Sequence, residues 1–237
     1  MLMKKAITLL LLAALLLTPL LASAGGYTNF PRTAIAYMVI NYRCGCSRIG
    51  TGAMVCSNGL ITAGHNLICA EHSKSARDIV FYFGYMSKND YFYKYDGSLN
   101  YWYYDSFSDG YSGDNDIGYV RFSSNVGDHT GWFATRYAGD SEFDGVSCRI
   151  GAYTSAGKLT LHSATLSVDS DKQFTFNKKE LPYGGEGAPI YILRGSSKDP
   201  TIVGVYTSHR SSVCCGRRLT KQVFNDMCDD LNVVVSR

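Results

Sequence analysis

The sequence predicts an all-β protein closed by one short C-terminal helix. Short runs rich in β-branched and aromatic residues recur along the chain, clusters of Gly, Asp, Asn and Ser separate them, and a helical period sets in only near the end. Regularly spaced short strands of this kind build barrels or sandwiches. In chain order, strands are expected over 34–42, 51–55, 60–63, 79–85, 117–122, 146–152, 159–166, 189–193 and 201–207. After Thr220, a candidate N-cap, the apolar residues Val223, Phe224, Met227 and Leu231 fall at helical spacing. No repeat and no linker composition calls for a second folded domain.

The beginning of the chain reads as an export signal over residues 1–24. Lys4 and Lys5 precede an apolar run from Ala6 to Leu21, and Ala22-Ser23-Ala24 follows as a small-x-small cleavage pattern. The run is about the shortest that could span hydrocarbon, so the rival reading is an uncleaved anchor. Cleavage is favoured because the small-residue site follows at once. The expected product is a secreted domain, 25–237, with no membrane attachment after cleavage. The formal charge of the whole chain is +3, two units of which come from Lys4 and Lys5. Near-neutrality without a basic stripe argues against nucleic acid as a partner.

All eight cysteines lie beyond the signal. In an exported chain an even number favours disulfides, with about 105 connectivities open; free thiols are the alternative. Cys44-Gly-Cys46 and the adjacent Cys214-Cys215 lack the two-to-four-residue gap of structural zinc sites. No metal and no cofactor is therefore expected. Between Tyr82 and Tyr111 lie nine tyrosines, together with Phe83, Phe92, Trp102 and Phe107. Such rings suit half-buried pleated surfaces, and they could also stack on a glycan or a peptide.

Three short motifs carry chemistry, and each has a bland reading alone. Gly50-Thr-Gly-Ala-Met-Val55 leads into Leu60-Ile-Thr-Ala-Gly-His65; Asp114-Asn-Asp-Ile-Gly-Tyr-Val120 follows; Tyr183-Gly-Gly-Glu-Gly-Ala-Pro-Ile190 precedes Thr201-Ile-Val-Gly-Val-Tyr-Thr207. A histidine after Ala-Gly, an aspartate before an apolar run and a glycine-rich turn are each commonplace. Together they give the order His, Asp, nucleophile on an all-β body, one of the chain orders of acyl-transfer triads.

On these motifs the chain resembles the trypsin-like serine peptidases, and most nearly the bacterial branch that contains the glutamyl endopeptidases. The resemblance spans most of the chain after residue 24. It implies two six-stranded antiparallel β-barrels of the chymotrypsin type with a short C-terminal helix. His65 would be general base and acid, and Asp116 would orient its imidazole. The N–H groups of Gly184 and Glu186 would form the oxyanion hole. Tyr206 stands where glutamyl-specific members carry a histidine, and His209 where a pocket-rim glycine is expected. Glu180 lies near the place of an acidic pocket residue, but differing loop lengths make that match unsafe. Gly118 replaces the usual alanine after the Asp motif, as another small residue.

The departure that matters is Glu186, which stands where the family carries its nucleophilic serine. A carboxylate attacks an amide poorly and would form a mixed anhydride, and the hydroxyl proton that His65 would take is absent. An ionised Glu186 near His65 would favour the imidazolium, and its carboxylate could occupy the oxyanion hole. Loss of a triad nucleophile costs roughly six orders of magnitude in turnover. The resemblance therefore implies a catalytically impaired homologue, a pseudoprotease that binds a protein or peptide ligand. The alternatives are a working endopeptidase or esterase with an atypical centre, and glycan binding through the tyrosine-rich segment.

Overall fold

The computed structural model describes residues 28–104, 113–177, 181, 184–210 and 213–232. The expected export signal lies outside these residues. Two curled sheets make the body. The first contains β1 (Ile35–Tyr42), β2 (Ser47–Met54), β3 (Gly59–Thr62), β4 (Ile68–Cys69), β5 (Lys74–Phe83), β6 (Tyr93–Tyr95), β7 (Leu99–Tyr103) and β8 (Gly118–Phe122). Its strand order is β4-β5-β1-β2-β3-β8-β7, with β6 added to β5. The second contains β9 (Ala134–Thr135), β10 (Ser147–Tyr153), β11 (Leu159–Thr165), β12 (Ser167–Val168), β13 (Gln173–Asn177), β14 (Pro189–Arg194), β15 (Asp199–Arg210) and β16 (Val213–Arg218). Its order is β11-β10-β14-β15-β16-β13-β12, and β9 lies parallel beside β15.

The all-β expectation holds. Among the described residues each half carries eight strands rather than six, because short pieces such as the two-residue β4, β9 and β12 extend the sheets. The strands that the sequence did not announce have weak intrinsic signals. β16 reads Val-Cys-Cys-Gly-Arg-Arg and is held by pairing on both sides, with β15 and with β13. The polar first half of β5, Lys74–Asp78, is paired to β4 and to the end of β1 through a register shift at Asn41/Tyr42. Tertiary pairing overrides local propensity there.

The buried apolar residues form two clusters, the first centred on the first sheet but taking in Tyr153, Tyr191 and Ile202 of the second sheet. The first includes Met38, Ile40, Leu60, Phe81, Phe83, Val120 and Phe122. Phe81 and Phe122 meet edge to face with ring centroids 5.0 Å apart. The second gathers Phe143, Ile150, Phe174, Phe176, Ile190 and Val203. Full burial of one such side chain contributes about 1.5–3 kcal/mol. The C-terminal helix, Lys221–Leu231, starts where the sequence places it. The Thr220 hydroxyl accepts the Val223 N–H, and Val223, Met227 and Leu231 are buried. It packs against the first sheet, where the Tyr119 hydroxyl donates to the Val223 carbonyl at 3.4 Å. Among the described residues no helix is long and apolar enough to cross a membrane.

The cysteines of the described residues are free thiols in this structure. Cys148 is buried in β10, with its thiol pushed up to about 12 by burial, whereas Cys44, Cys46 and Cys69 gather around His72. Within the tyrosine-rich segment, Tyr111 and Phe107 lie outside the described residues. Most of the remaining rings pack on the sheet. Tyr95 is buried, Tyr101 donates to the Ala76 carbonyl, and Tyr85 stacks on Tyr37 at 4.5 Å. Tyr91 and Phe92 stay exposed.

Candidate active site

The site lies on the seam between the sheets. β3 ends in Thr62, and a single 3-10 turn, Gly64–Asn66, carries His65. A Cβ on Gly64 would lie 3.2 Å from the Ile117 nitrogen and 3.4 Å from Asp116 Oδ1. Glycine thus lets the histidine turn press against the segment Asp116-Ile117 that leads into β8. Asp116 holds His65 twice: Oδ1 accepts the His65 backbone N–H at 2.9 Å, and Oδ2 lies 2.8 Å from Nδ1. Both residues are buried, and the Tyr42 hydroxyl donates to the His65 carbonyl at 2.7 Å. A carboxylate on Nδ1 selects the tautomer that carries its proton there and leaves the lone pair on Nε2.

The turn 184–188 is stitched to both sheets. Thr51 in β2 donates its N–H to the Glu186 carbonyl at 2.9 Å, and Asn66 Nδ2 donates to the same oxygen at 2.9 Å. The Thr51 hydroxyl donates to the Gly184 carbonyl at 3.1 Å. From the other side, the Gly187 N–H donates to the Tyr206 carbonyl at 2.7 Å, and the Tyr206 N–H to the Ala188 carbonyl at 2.8 Å. Gly184 and Gly187 have φ of +97° and +88°, which L side chains rarely adopt.

Glu186 is 8% exposed, and its carboxylate turns onto its own loop. Oε2 accepts the Gly184 N–H at 3.2 Å, and Oε1 lies 4.0 Å from Arg48 Nη2. The Gly184 N–H is one of the two donors that the resemblance assigns to an oxyanion hole. The structure thus brings His65 and Asp116 into direct contact, and Glu186 to Gly184. Arg48 had no signal in the sequence, because its role arises from the pairing of β2 beside the 184–188 turn.

The remaining expected residues divide. Tyr206 is buried in β15. Burial raises its phenol pKa, and the charges of Cys214 and Glu186 add to the rise. His209 belongs to β15, but its side chain lies outside the described residues, as do Glu180 and Tyr183. Gly118 does more than stay small: a Cβ there would lie 2.5 Å from Leu67 Cδ1 and 2.8 Å from the Trp102 carbonyl oxygen. Cys44, Cys46, Cys69 and His72 form one cluster, a grouping that the sequence pattern did not single out. Cys69 and His72, separated by two residues, lie beside the Cys44-Gly-Cys46 turn.

Chemically the arrangement supplies an imidazole oriented by a carboxylate and, in the 184–188 turn, a second carboxylate that accepts a backbone N–H. No protein-family model matches the chain. The "Extracellular metalloprotease" of Bacillus subtilis (strain 168) is 26% identical over 203 residues, covering 84% of this chain and 64% of that protein. The chain therefore spans less than two thirds of that relative's length. Among solved structures, a Glu endopeptidase in complex with MPD superposes with a TM-score of 0.70 at 15% identity, covering 88% of this chain and 94% of that one. Protease Anisep from Arthrobacter nicotinovorans gives 0.71 at 15% identity, covering 88% and 99%. The thermostable serine protease AL20 from an extremophilic microorganism gives 0.69 at 13%, covering 86% and 99%. This chain has the chymotrypsin-like fold, and its structural neighbours include Glu endopeptidase and other serine proteases.

Proposed function

We propose that the chain is an exported homologue of the trypsin-like serine proteases that lacks serine-type catalysis and serves to bind a peptide or protein. The observation that carries this reading is the Glu186 carboxylate, which takes the Gly184 N–H for itself. A substrate carbonyl seeking that donor must first displace an ionised acceptor, and hydrogen bonds to charged groups contribute about 1.5–3 kcal/mol. The carboxylate also carries no proton for His65 to remove. Export is supported by the N-terminal signal pattern and by the extracellular relative. The intact His65–Asp116 pair and the stitched 184–188 turn support a retained, ordered cleft.

A fluorophosphonate probe, which labels activated serine hydroxyls, tests the reading directly. The wild-type chain is expected to stay unlabelled and to leave casein uncut. Glu186→Ser is expected to gain labelling and to raise peptide hydrolysis by several orders of magnitude, the converse of removing a triad nucleophile. Labelling of the wild type at any hydroxyl would identify a working atypical centre and overturn the proposal.

A further inference from the structure

Cys44, Cys46, Cys69 and His72 form a second constellation, separate from the Glu186 turn and independent of the function proposed above. Their ligand atoms all lie within 4.8 Å of one another. His72 Nδ1 is 3.5 Å from Cys69 Sγ and 3.6 Å from Cys46 Sγ. In a tetrahedral zinc site the bonds are about 2.3 Å to sulfur and about 2.0–2.1 Å to nitrogen, so the sulfur-to-nitrogen edge is about 3.5 Å. The observed separations match that edge.

We propose that these four residues bind one zinc ion as a structural Cys3His site. Two hairpin tips supply two ligands each. In the turn between β1 and β2, the Gly45 N–H donates to the Tyr42 carbonyl at 3.0 Å and the Tyr42 N–H to the Cys46 carbonyl at 2.9 Å. Gly45 has φ of +90°, a left-handed conformation that lets the chain reverse between two cysteines separated by one residue. The other tip joins β4 to β5, with Cys69 paired to Lys74 and His72 in the loop between. Cys69 is buried, Cys44 and Cys46 are half-buried, and His72 is exposed.

Ligand chemistry selects the ion. Three thiolates and an imidazole suit zinc and disfavour calcium and magnesium, which take oxygen. Four protein ligands complete a tetrahedron and leave no position for a reactive water, so the role is structural. A disulfide would use two of the three sulfurs and strand the third together with His72; a metal engages all four. Binding displaces the thiol protons, and His72 coordinates through Nδ1. The clamp reaches the candidate active site from two directions. Cys69 lies four residues after His65, and Cys46 two residues before Arg48. The Leu67 carbonyl between them accepts the Ala76 N–H at 2.8 Å.

The test uses the full chain purified without added reductant or chelator. Elemental analysis is expected to find one equivalent of zinc. Exchange for Co2+ is expected to give the visible bands of tetrahedral cobalt with sulfur-to-cobalt charge transfer. Cys46→Ser and Cys69→Ser are expected to lose those bands. His72→Ala is expected to weaken binding beyond the ~10–100-fold that loss of an outer-shell partner brings, and His72→Cys to retain it. The wild-type measurement stands even where a variant fails to fold. Absence of metal with no cobalt spectrum, or a disulfide among Cys44, Cys46 and Cys69 found by mass after alkylation, overturns the proposal.

Discussion

Gly187 shows how tightly the site is built at the level of single residues. A Cβ there would lie 2.1 Å from the Thr51 carbonyl oxygen and 2.2 Å from Thr62 Oγ1, at a φ of +88°. The left-handed conformation alone costs a non-glycine residue about 1–2 kcal/mol, and the clash with backbone adds to it. Gly187→Ala is therefore expected to lower stability by about 3 kcal/mol or more, read as a fall in the urea midpoint at an unchanged m-value. A loss below about 1 kcal/mol would mean that the turn relaxes easily. The glycine itself was legible in the Gly-Gly-Glu-Gly-Ala-Pro motif. Its crowding was not, because Thr51 and Thr62 approach it from strands more than a hundred positions earlier in the chain.

Among the elements, the C-terminal helix was the most legible. Its cap and its apolar period are local features, and Thr220, Val223, Met227 and Leu231 do in the structure what their spacing predicts. Thr220→Ala removes the acceptor for the Val223 N–H and is expected to cost about 1 kcal/mol, while Thr220→Ser keeps most of it. Thermal melts of the two variants make the comparison, and equal melting temperatures would remove the cap from the account. Strands were less legible. β1 differs from its expected span by one residue, because Ile-Ala-Tyr-Met-Val-Ile has the composition of a buried strand. β13 and β16 escaped notice because Gln173–Asn177 and Val213–Arg218 depend on each other's ladders for their extended form.

For the whole molecule, the two sheets are joined through Thr51. Its hydroxyl donates to the Gly184 carbonyl and accepts the Tyr153 N–H at 3.1 Å, so one side chain of the first sheet satisfies two backbone groups of the second half. Thr51→Val keeps the shape and leaves both groups buried without that partner, at about 1–3 kcal/mol each. It is expected to lower stability by about 2 kcal/mol or more, read as a fall in the denaturation midpoint of one cooperative transition followed by far-UV circular dichroism and tryptophan fluorescence. Separate transitions for the two probes would show that the halves unfold independently. The resemblance of the three motifs to the trypsin-like peptidases implied a fold of two barrels. The contacts that close the seam were invisible until the two halves were placed together.

Composition and strand rhythm were enough to specify an all-β body and a capped C-terminal helix, and the motifs pointed to the contact between His65 and Asp116. Those features are written in local patterns and in chemical identities that no packing can change. Where the Glu186 carboxylate points, why Arg48 stands beside it, why Gly118 admits no Cβ, and why three cysteines meet one histidine all depend on residues distant in the chain. Such juxtapositions follow from strand register and from which hairpin tips the curling sheets bring together, and a one-dimensional pattern holds no coordinate for either.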